Sequence, residues 1–249
     1  MLLHGLLGSS ANWHSIARRI AADRPVLVPD LRNHGRSPHS EEMDYPAMGG
    51  DLAGLLDRLG WQQATLVGHS MGAKVAMWFA LQEPGRVDGL VAVDMAPAPY
   101  PNRFQRIFAA LEALPLEQVC NRAEADLHLA GSVDSPSVRQ FLLQNLVLES
   151  GRWSWRVNVA ALRHRIADLL DFPAPPPERQ FTGPTLFLYG GSSDYLRPEH
   201  EGTVRRLFPY ARIRTVPGAG HWVYADQPEA FLQALGGFLG SAGSRDHWV

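Results

Sequence analysis

A serine and a histidine in this 249-residue chain stand in settings suited to acyl transfer. Ser70 lies in Gly68-His69-Ser70-Met71-Gly72, a G-x-S-x-G pattern. The pattern follows the apolar run Ala64-Thr65-Leu66-Val67 directly and precedes a helical pattern from Ala73 to Leu81. That strand-turn-helix order is the setting a nucleophile elbow requires. Its two glycines permit a sharp turn and a close approach of strand and helix, and the helix N-terminus favours a developing anion. The bland alternative is a serine that only caps a helix.

A serine hydroxyl is a poor nucleophile at neutral pH and needs a base. Of the ten histidines, His221 in Gly218-Ala219-Gly220-His221-Trp222 is the best placed. It follows the last predicted strand on a glycine-rich loop before the final helix, beyond the carboxyl end of a strand, where open α/β sheets build their sites. His69 adjoins the nucleophile, and its side chain is expected to point away from that of Ser70. His4, His34 and His164 fall in two turns and in a helical insertion.

The elements that must hold these residues are legible from hydrophobic spacing. Short apolar runs at Pro25 to Pro29, Ala64 to Val67, Gly89 to Val93, Pro184 to Tyr189 and Arg212 to Val216 read as strands buried on both faces. Between them lie helical patterns: Asp51-Leu52-Leu55-Leu56-Leu59 ending at Gly60, Ala73 to Leu81 before Pro84-Gly85, and Pro228 to Leu239 with Phe231, Leu232, Leu235 and Phe238 on one face. Strand then helix, repeated, predicts an open, mostly parallel α/β sheet. From about Ala98 to Phe181 the strand signal gives way to helical spacing, closed by the stiff run Phe172-Pro173-Ala174-Pro175-Pro176-Pro177. The expected division is a core of residues 1–97 and 182–249 with an inserted helical cap over residues 98–181.

Composition narrows the function classes. With 45% hydrophobic and 19% charged residues the chain is of ordinary globular make-up. A net charge of −2 provides no field to attract nucleic acid or anionic lipid. The single Cys120 forms no intrachain disulfide and no cysteine metal cluster, which fits a reducing, cytoplasmic compartment. The longest apolar runs fall short of the ~20 residues that span a bilayer. The start, Met1-Leu2-Leu3-His4-Gly5, lacks a signal-peptide pattern.

Four motifs together resemble the α/β-hydrolase superfamily: His4-Gly5-Leu6-Leu7-Gly8, Asp30-Leu31-Arg32-Asn33-His34-Gly35-Arg36-Ser37, the elbow, and Gly220-His221. Tyr45-Pro46-Ala47-Met48, Val93-Asp94-Met95-Ala96-Pro97 and Gly190-Gly191-Ser192-Ser193 are similar to the YbfF/ABHD11-type esterases within it. The resemblance implies serine hydrolysis of acyl esters, and of thioesters, with no metal or cofactor. It implies an oxyanion hole from the amides of Leu6 and Met71. For the triad acid two positions stay open. Most α/β-hydrolases use the loop that here carries Asp194, whereas the esterase-like subgroup keeps an aspartate at Asp94, and the resemblance favours the latter. In that family two strands normally precede the His4 turn. Met1 stands only three residues before it, so the sheet is expected to lack them and to begin at a very short strand.

The leading expectation is a serine carboxylesterase for short- to medium-chain acyl esters, with Phe104, Phe108, Phe141 and Trp153 as cap residues that could meet a small-molecule ester. Most apolar cap residues are expected to pack within the cap or against the sheet. A second reading is a carbon-carbon bond hydrolase of dienoic ketones, which would need a cap arginine such as Arg156 or Arg163 to hold a carboxylate. A third keeps the same scaffold as a ligand sensor.

Overall fold

The computed structural model describes residues 1–242. In chain order the elements are β1 (Leu2–Leu3), α1 (His14–Ile20), α2 (Tyr45–Arg58), β2 (Ala64–His69), α3 (Met71–Gln82), β3 (Val87–Val93), α4 (Gln105–Ala113), α5 (Arg122–Ala130), α6 (Pro136–Leu143), β4 (Leu146–Glu149), β5 (Arg152–Trp155), α7 (Val159–His164), α8 (Ile166–Leu170), β6 (Thr185–Gly190), α9 (Glu201–Leu207), β7 (Ala211–Val216), α10 (Val223–Asp226) and α11 (Pro228–Ala242). Five strands form one sheet in the order β1-β2-β3-β6-β7, and every pairing is parallel.

The apolar runs are continuous because the sheet is covered twice. Leu66, Leu90, Ala92 and Phe187 face a core shared with Leu52 and Leu56 of α2, Val75 and Phe79 of α3, and Val204 and Leu207 of α9. The alternate residues Val67, Val91, Val93, Leu186 and Leu188 face a second core with Ile16 of α1 and Phe231, Leu235 and Phe238 of α11. Successive strand side chains point to opposite faces, so two buried faces demand apolar residues at nearly every position. Each fully buried Leu, Val or Phe contributes roughly 1.5–3 kcal/mol.

Three expectations need correction or limits. The run Pro25 to Pro29 is not a strand: it lies beside β1 through one bond, Leu2 N–H to the Leu27 carbonyl at 2.9 Å, and its two prolines have no N–H for a ladder. The two-residue β1 is therefore the edge strand on this side of the described sheet. Residues 98–181 are not wholly helical, since β4 and β5 form an antiparallel hairpin. Its two-residue turn, Ser150-Gly151, has positive φ at both positions (51° and 77°), which matches the twist of a hairpin. Of the expected core 182–249, residues 243–249 lie outside the described residues.

Candidate active site

The elbow is set by backbone crowding. Ser70 sits between β2 and α3 at φ 54°, ψ −120°, a strained conformation for a residue with a side chain. Its amide donates to the Val93 carbonyl at 3.1 Å, while its own carbonyl accepts from Ala73 and Lys74. A Cβ on Gly68 would stand 2.1 Å from the Gly72 carbonyl oxygen, and one on Gly72 would stand 2.5 Å from the carbonyl oxygens of Leu3 and His4. Glycine is thus required at both positions because strand, helix and the turn after β1 touch there.

That turn carries Leu6. A Cβ on Gly5 would lie 3.1 Å from the Ser70 Cβ, so the turn runs against the elbow serine. Among the described residues, neither the Leu6 nor the Met71 amide donates to a protein acceptor. Two buried histidines hold the turn. His4 donates from Nδ1 to the Gly5 carbonyl and accepts from the Leu31 amide at Nε2. His34 donates from Nδ1 to the Arg32 carbonyl and accepts from the Leu7 amide at Nε2. Burial lowers the pKa of both, that of His34 to about 3. They are neutral struts at neutral pH. Asp30 completes the support, accepting from the Ser10 and Arg36 amides. Its carboxylate occupies the space where a Cβ on Gly35 would project, so that position, at φ 54°, requires glycine.

The two candidate acids stand in different surroundings. Asp94 directly follows β3 at φ 52°, fully buried, and its Oδ2 accepts from His221 Nδ1 at 2.7 Å. The same carboxylate accepts from the Gly190 amide at 3.0 Å and from the Ser193 hydroxyl. Asp194 is exposed and pairs with Arg103 at 2.9 Å and Arg197 at 3.3 Å, with no bond to His221. Those two guanidiniums hold its carboxyl below the usual carboxylate range, the Arg103 hydrogen bond being the largest cause.

His221 is oriented on its other sides too. Tyr195 stacks on its ring with centroids 4.0 Å apart, and His69 donates from Nε2 to the His221 carbonyl at 2.9 Å. His69 was expected to face away from Ser70. Its ring does border the same cavity, but its N–H is committed to that carbonyl, and burial keeps it neutral by lowering its pKa well below 6.5.

Ser70, His221, Leu6 and Gly5 line one cavity of about 180 Å³. Its wall from segment 98–181 comprises Arg103, Phe104, Ile107, Val138, Phe141 and Leu142. Of the four expected contact residues, Phe104 and Phe141 line it. Phe108 does not: it is buried among the helices of the segment, its ring 6.3 Å from that of Phe104. Nor does Trp153, which stands on β5 opposite Leu148 with the Arg122 guanidinium over its ring. Arg163 and Arg156 pair with Glu112 and Glu149 and stay outside the cavity lining. Among the described residues no cluster of three or more His, Cys, Asp or Glu is arranged to hold a metal ion.

A family model described as alpha/beta hydrolase fold matches residues 1–228. The chain belongs to the α/β-hydrolase family. This α/β-hydrolase is 44% identical to the Mus musculus protein named sn-1-specific diacylglycerol lipase ABHD11, over 96% of this chain and 80% of that one. It is 36% identical to esterase YbfF of Escherichia coli K12, over 96% of this chain and 92% of that one. A solved structure described as a marine microorganism esterase superposes with a TM-score of 0.92 at 34% identity, covering 95% of this chain and 93% of that one. The protein is an esterase/lipase-type α/β-hydrolase, a carboxylic ester hydrolase. No described helix is long and apolar enough to cross a membrane.

Sequence reasoning missed the supporting residues. Ser193 and Gly190 hold Asp94, yet the Gly-Gly-x-Ser motif entered the reading only as a family likeness. His4 and His34 were read as turn residues. Their signal was the pairing of a His-Gly turn with an Asn-His-Gly turn, whose meaning depends on the fold bringing the two together.

Proposed function

We propose that this hydrolase is a serine carboxylesterase for short- to medium-chain acyl esters and thioesters, with Ser70 as nucleophile, His221 as base and Asp94 as acid. The observation that carries the reading is the 2.7 Å bond from His221 Nδ1 to the buried Asp94 carboxylate, at the rim of the cavity lined by Ser70. A carboxylate there fixes the tautomer that leaves Nε2 free to take a proton, and stabilises the imidazolium once formed.

Ser70 Oγ attacks the ester carbonyl as its proton passes to His221 Nε2. The oxyanion is held by the N–H groups of Leu6 and Met71, whose lack of other acceptors supports this role. His221 then protonates the leaving alcohol or thiol, and the acyl group remains on Ser70. Water, deprotonated by the same imidazole, attacks the acyl-enzyme and releases the acid. Segment 98–181 acts as a lid whose wall, apolar apart from Arg103, excludes water from the acyl group.

A cavity of about 180 Å³ is smaller than the roughly 300–1,000 Å³ of pockets that enclose drug-sized ligands. The closed form therefore suits a short acyl chain, and a longer one requires the lid to shift. A diacylglycerol, named for the mouse relative, would need such a shift.

The test is hydrolysis of 4-nitrophenyl acetate, butyrate and octanoate by wild type, Ser70→Ala, Asp94→Asn and Asp194→Asn, each checked for folding. We expect Ser70→Ala to abolish turnover, Asp94→Asn to lower kcat by about four orders of magnitude and Asp194→Asn to stay near wild type. Wild-type turnover in Ser70→Ala would overturn the serine mechanism. A collapse confined to Asp194→Asn would move the acid to the later loop.

A further inference from the structure

We propose that Lys74 is a positioning residue whose ammonium fastens the entry of segment 98–181 and the end of its last helix to α3 and so sets how far that segment opens over the Ser70 cavity. The proposal rests on reading the segment as a lid.

Lys74 lies on α3 one turn after Ser70, and its amide donates to the Ser70 carbonyl at 3.2 Å. Its side chain is buried, with the residue only 1% exposed, and it does not line the Ser70 cavity. Nζ donates to the carbonyls of Leu170 and Asp171, each at 2.8 Å. On a third side it faces the Tyr100 ring, 4.7 Å from the centroid. These partners bracket the helices and hairpin of the segment: Tyr100 precedes α4, and Leu170 and Asp171 lie where its last helix, α8, gives way to the proline run.

The grip is reinforced by neighbours. The Leu169 carbonyl accepts from the Tyr45 hydroxyl of α2 at 2.6 Å, and the Leu170 carbonyl also accepts from the Tyr100 amide at 2.9 Å. Three successive carbonyls at the end of α8 are thereby held from outside the helix. Tyr100 links the clamp to the site, because its hydroxyl donates to the Tyr195 carbonyl at 2.6 Å and Tyr195 stacks on His221. Burying an ammonium costs far more than burying a methionine of similar volume, so mere space-filling does not account for a lysine here.

The titratable groups that face Nζ are Asp171 beyond α8, Tyr45 of α2, Tyr100, and His200 before α9, whose ring lies 5.7 Å from that of Tyr100. Burial lowers the Lys74 amine to about 7, against a smaller opposing pull from Asp171. As an ammonium it has three protons for two carbonyls and the ring face; as a neutral amine it has two, and turns a lone pair toward the ring. The clamp is therefore tighter below about pH 7 than above it.

The experiment measures the ratio of kcat/KM for 4-nitrophenyl octanoate to that for the acetate in wild type, Lys74→Met, Lys74→Gln and Tyr45→Phe. Taking the ratio cancels the titration of the groups that perform the chemistry on both esters. We expect the wild-type ratio to rise as pH passes from about 6 to about 8. Lys74→Met should raise it by about fivefold and make it independent of pH. Lys74→Gln, which keeps two N–H donors without charge, should return part of the wild-type value, also without pH dependence. If Lys74→Met does not fold, Lys74→Gln and Tyr45→Phe carry the comparison. Ratios equal to wild type at every pH in the variants that fold overturn the proposal. Phe141→Ala, in the cavity wall, is the control on the lid reading: an unchanged ratio there rejects the lid itself, whatever Lys74 does.

Discussion

His4 and His34 each accept an amide hydrogen from the turn that carries the other: Leu31 N–H reaches His4 Nε2 at 3.0 Å, and Leu7 N–H reaches His34 Nε2 at 3.1 Å. Their rings sit 5.0 Å apart. This exchange couples the turn that presents the Leu6 amide to the loop after the extended segment beside β1. Segment 98–181 seals the same joint, because Asn145 Nδ2 donates to the Leu7 carbonyl at 2.7 Å and Asn158 donates to Asn33 through both amide groups.

Acid should therefore unlock this joint. Protonation of either imidazole destroys its acceptor nitrogen and places charge in a buried site. Both folded-state pKa values lie below the unfolded value of about 6.5, that of His34 at about 3. The unfolded chain takes up these protons first, so the stability they represent is complete above pH 6.5 and is lost as pH falls toward 3. His34 contributes a slope of up to about 1.4 kcal/mol per pH unit in that window, and His4 acts in the same direction. Urea unfolding at a series of pH values should show a shallower decline in His34→Gln than in wild type, and an identical decline would refute this account.

Ser193 should matter to rate and little to binding. Its hydroxyl and the Gly190 amide are the two donors, besides His221, that hold the Asp94 carboxylate. Removing a hydrogen bond to a charged group costs about 1.5–3 kcal/mol, so Ser193→Ala should lower kcat by roughly 10- to 100-fold with KM nearly constant. Steady-state kinetics on one short ester decide this, and a change in KM alone would show that Ser193 acts on the substrate pocket instead.

The elbow should tolerate no side chain at Gly72. A Cβ there meets two carbonyl oxygens of the β1 strand and its following turn at 2.5 Å, and backbone cannot move aside as a flexible side chain can. Gly72→Ala is expected to lose at least about 2 kcal/mol of stability, read from the urea midpoint, whereas Gly54→Ala, with open space at its Cβ, should be neutral or better.

How much of this was legible in the sequence follows from how local each signal is. The elbow turn, the runs buried on both faces in β2, β3 and β6, and the loop of His221 are local patterns that stand where spacing put them, whereas β7 lies at the sheet edge with Arg212, Arg214 and Thr215 exposed. Asp94 and Asp194 could not be separated locally, since both follow strands opening on the same sheet edge. Only the packing of β3 against β6 brings Asp94 under Gly190 and Ser193. Pro25 to Pro29 read as a strand because periodicity does not register missing N–H groups. Phe108 and Trp153 read as contact candidates because composition does not reveal which face of a helix or hairpin looks inward. Lys74 gave no signal at all: a lysine in an apolar helix is ordinary until its carbonyl partners, nearly a hundred residues later in the chain, are seen beside it.

Phe141 and Phe108 offer a paired prediction on where acyl-chain selectivity resides. Phe141 borders the Ser70 cavity and packs on Trp222 at 5.4 Å, so Phe141→Ala adds space where the acyl chain would lie. One methylene in an apolar pocket is worth about 1–3 kcal/mol of discrimination, and removing a whole ring should raise the octanoate-to-acetate ratio of kcat/KM by about tenfold or more. Phe108 is equally apolar but 1% exposed and outside the cavity lining. Its truncation to alanine should cost about 3–5 kcal/mol of stability through the void it leaves, with the ratio unchanged. Measuring both variants by urea unfolding and by the two esters separates packing from selectivity. If Phe108→Ala shifts the ratio as much as Phe141→Ala does, selectivity depends on the rigidity of the whole segment and not on the wall of the cavity.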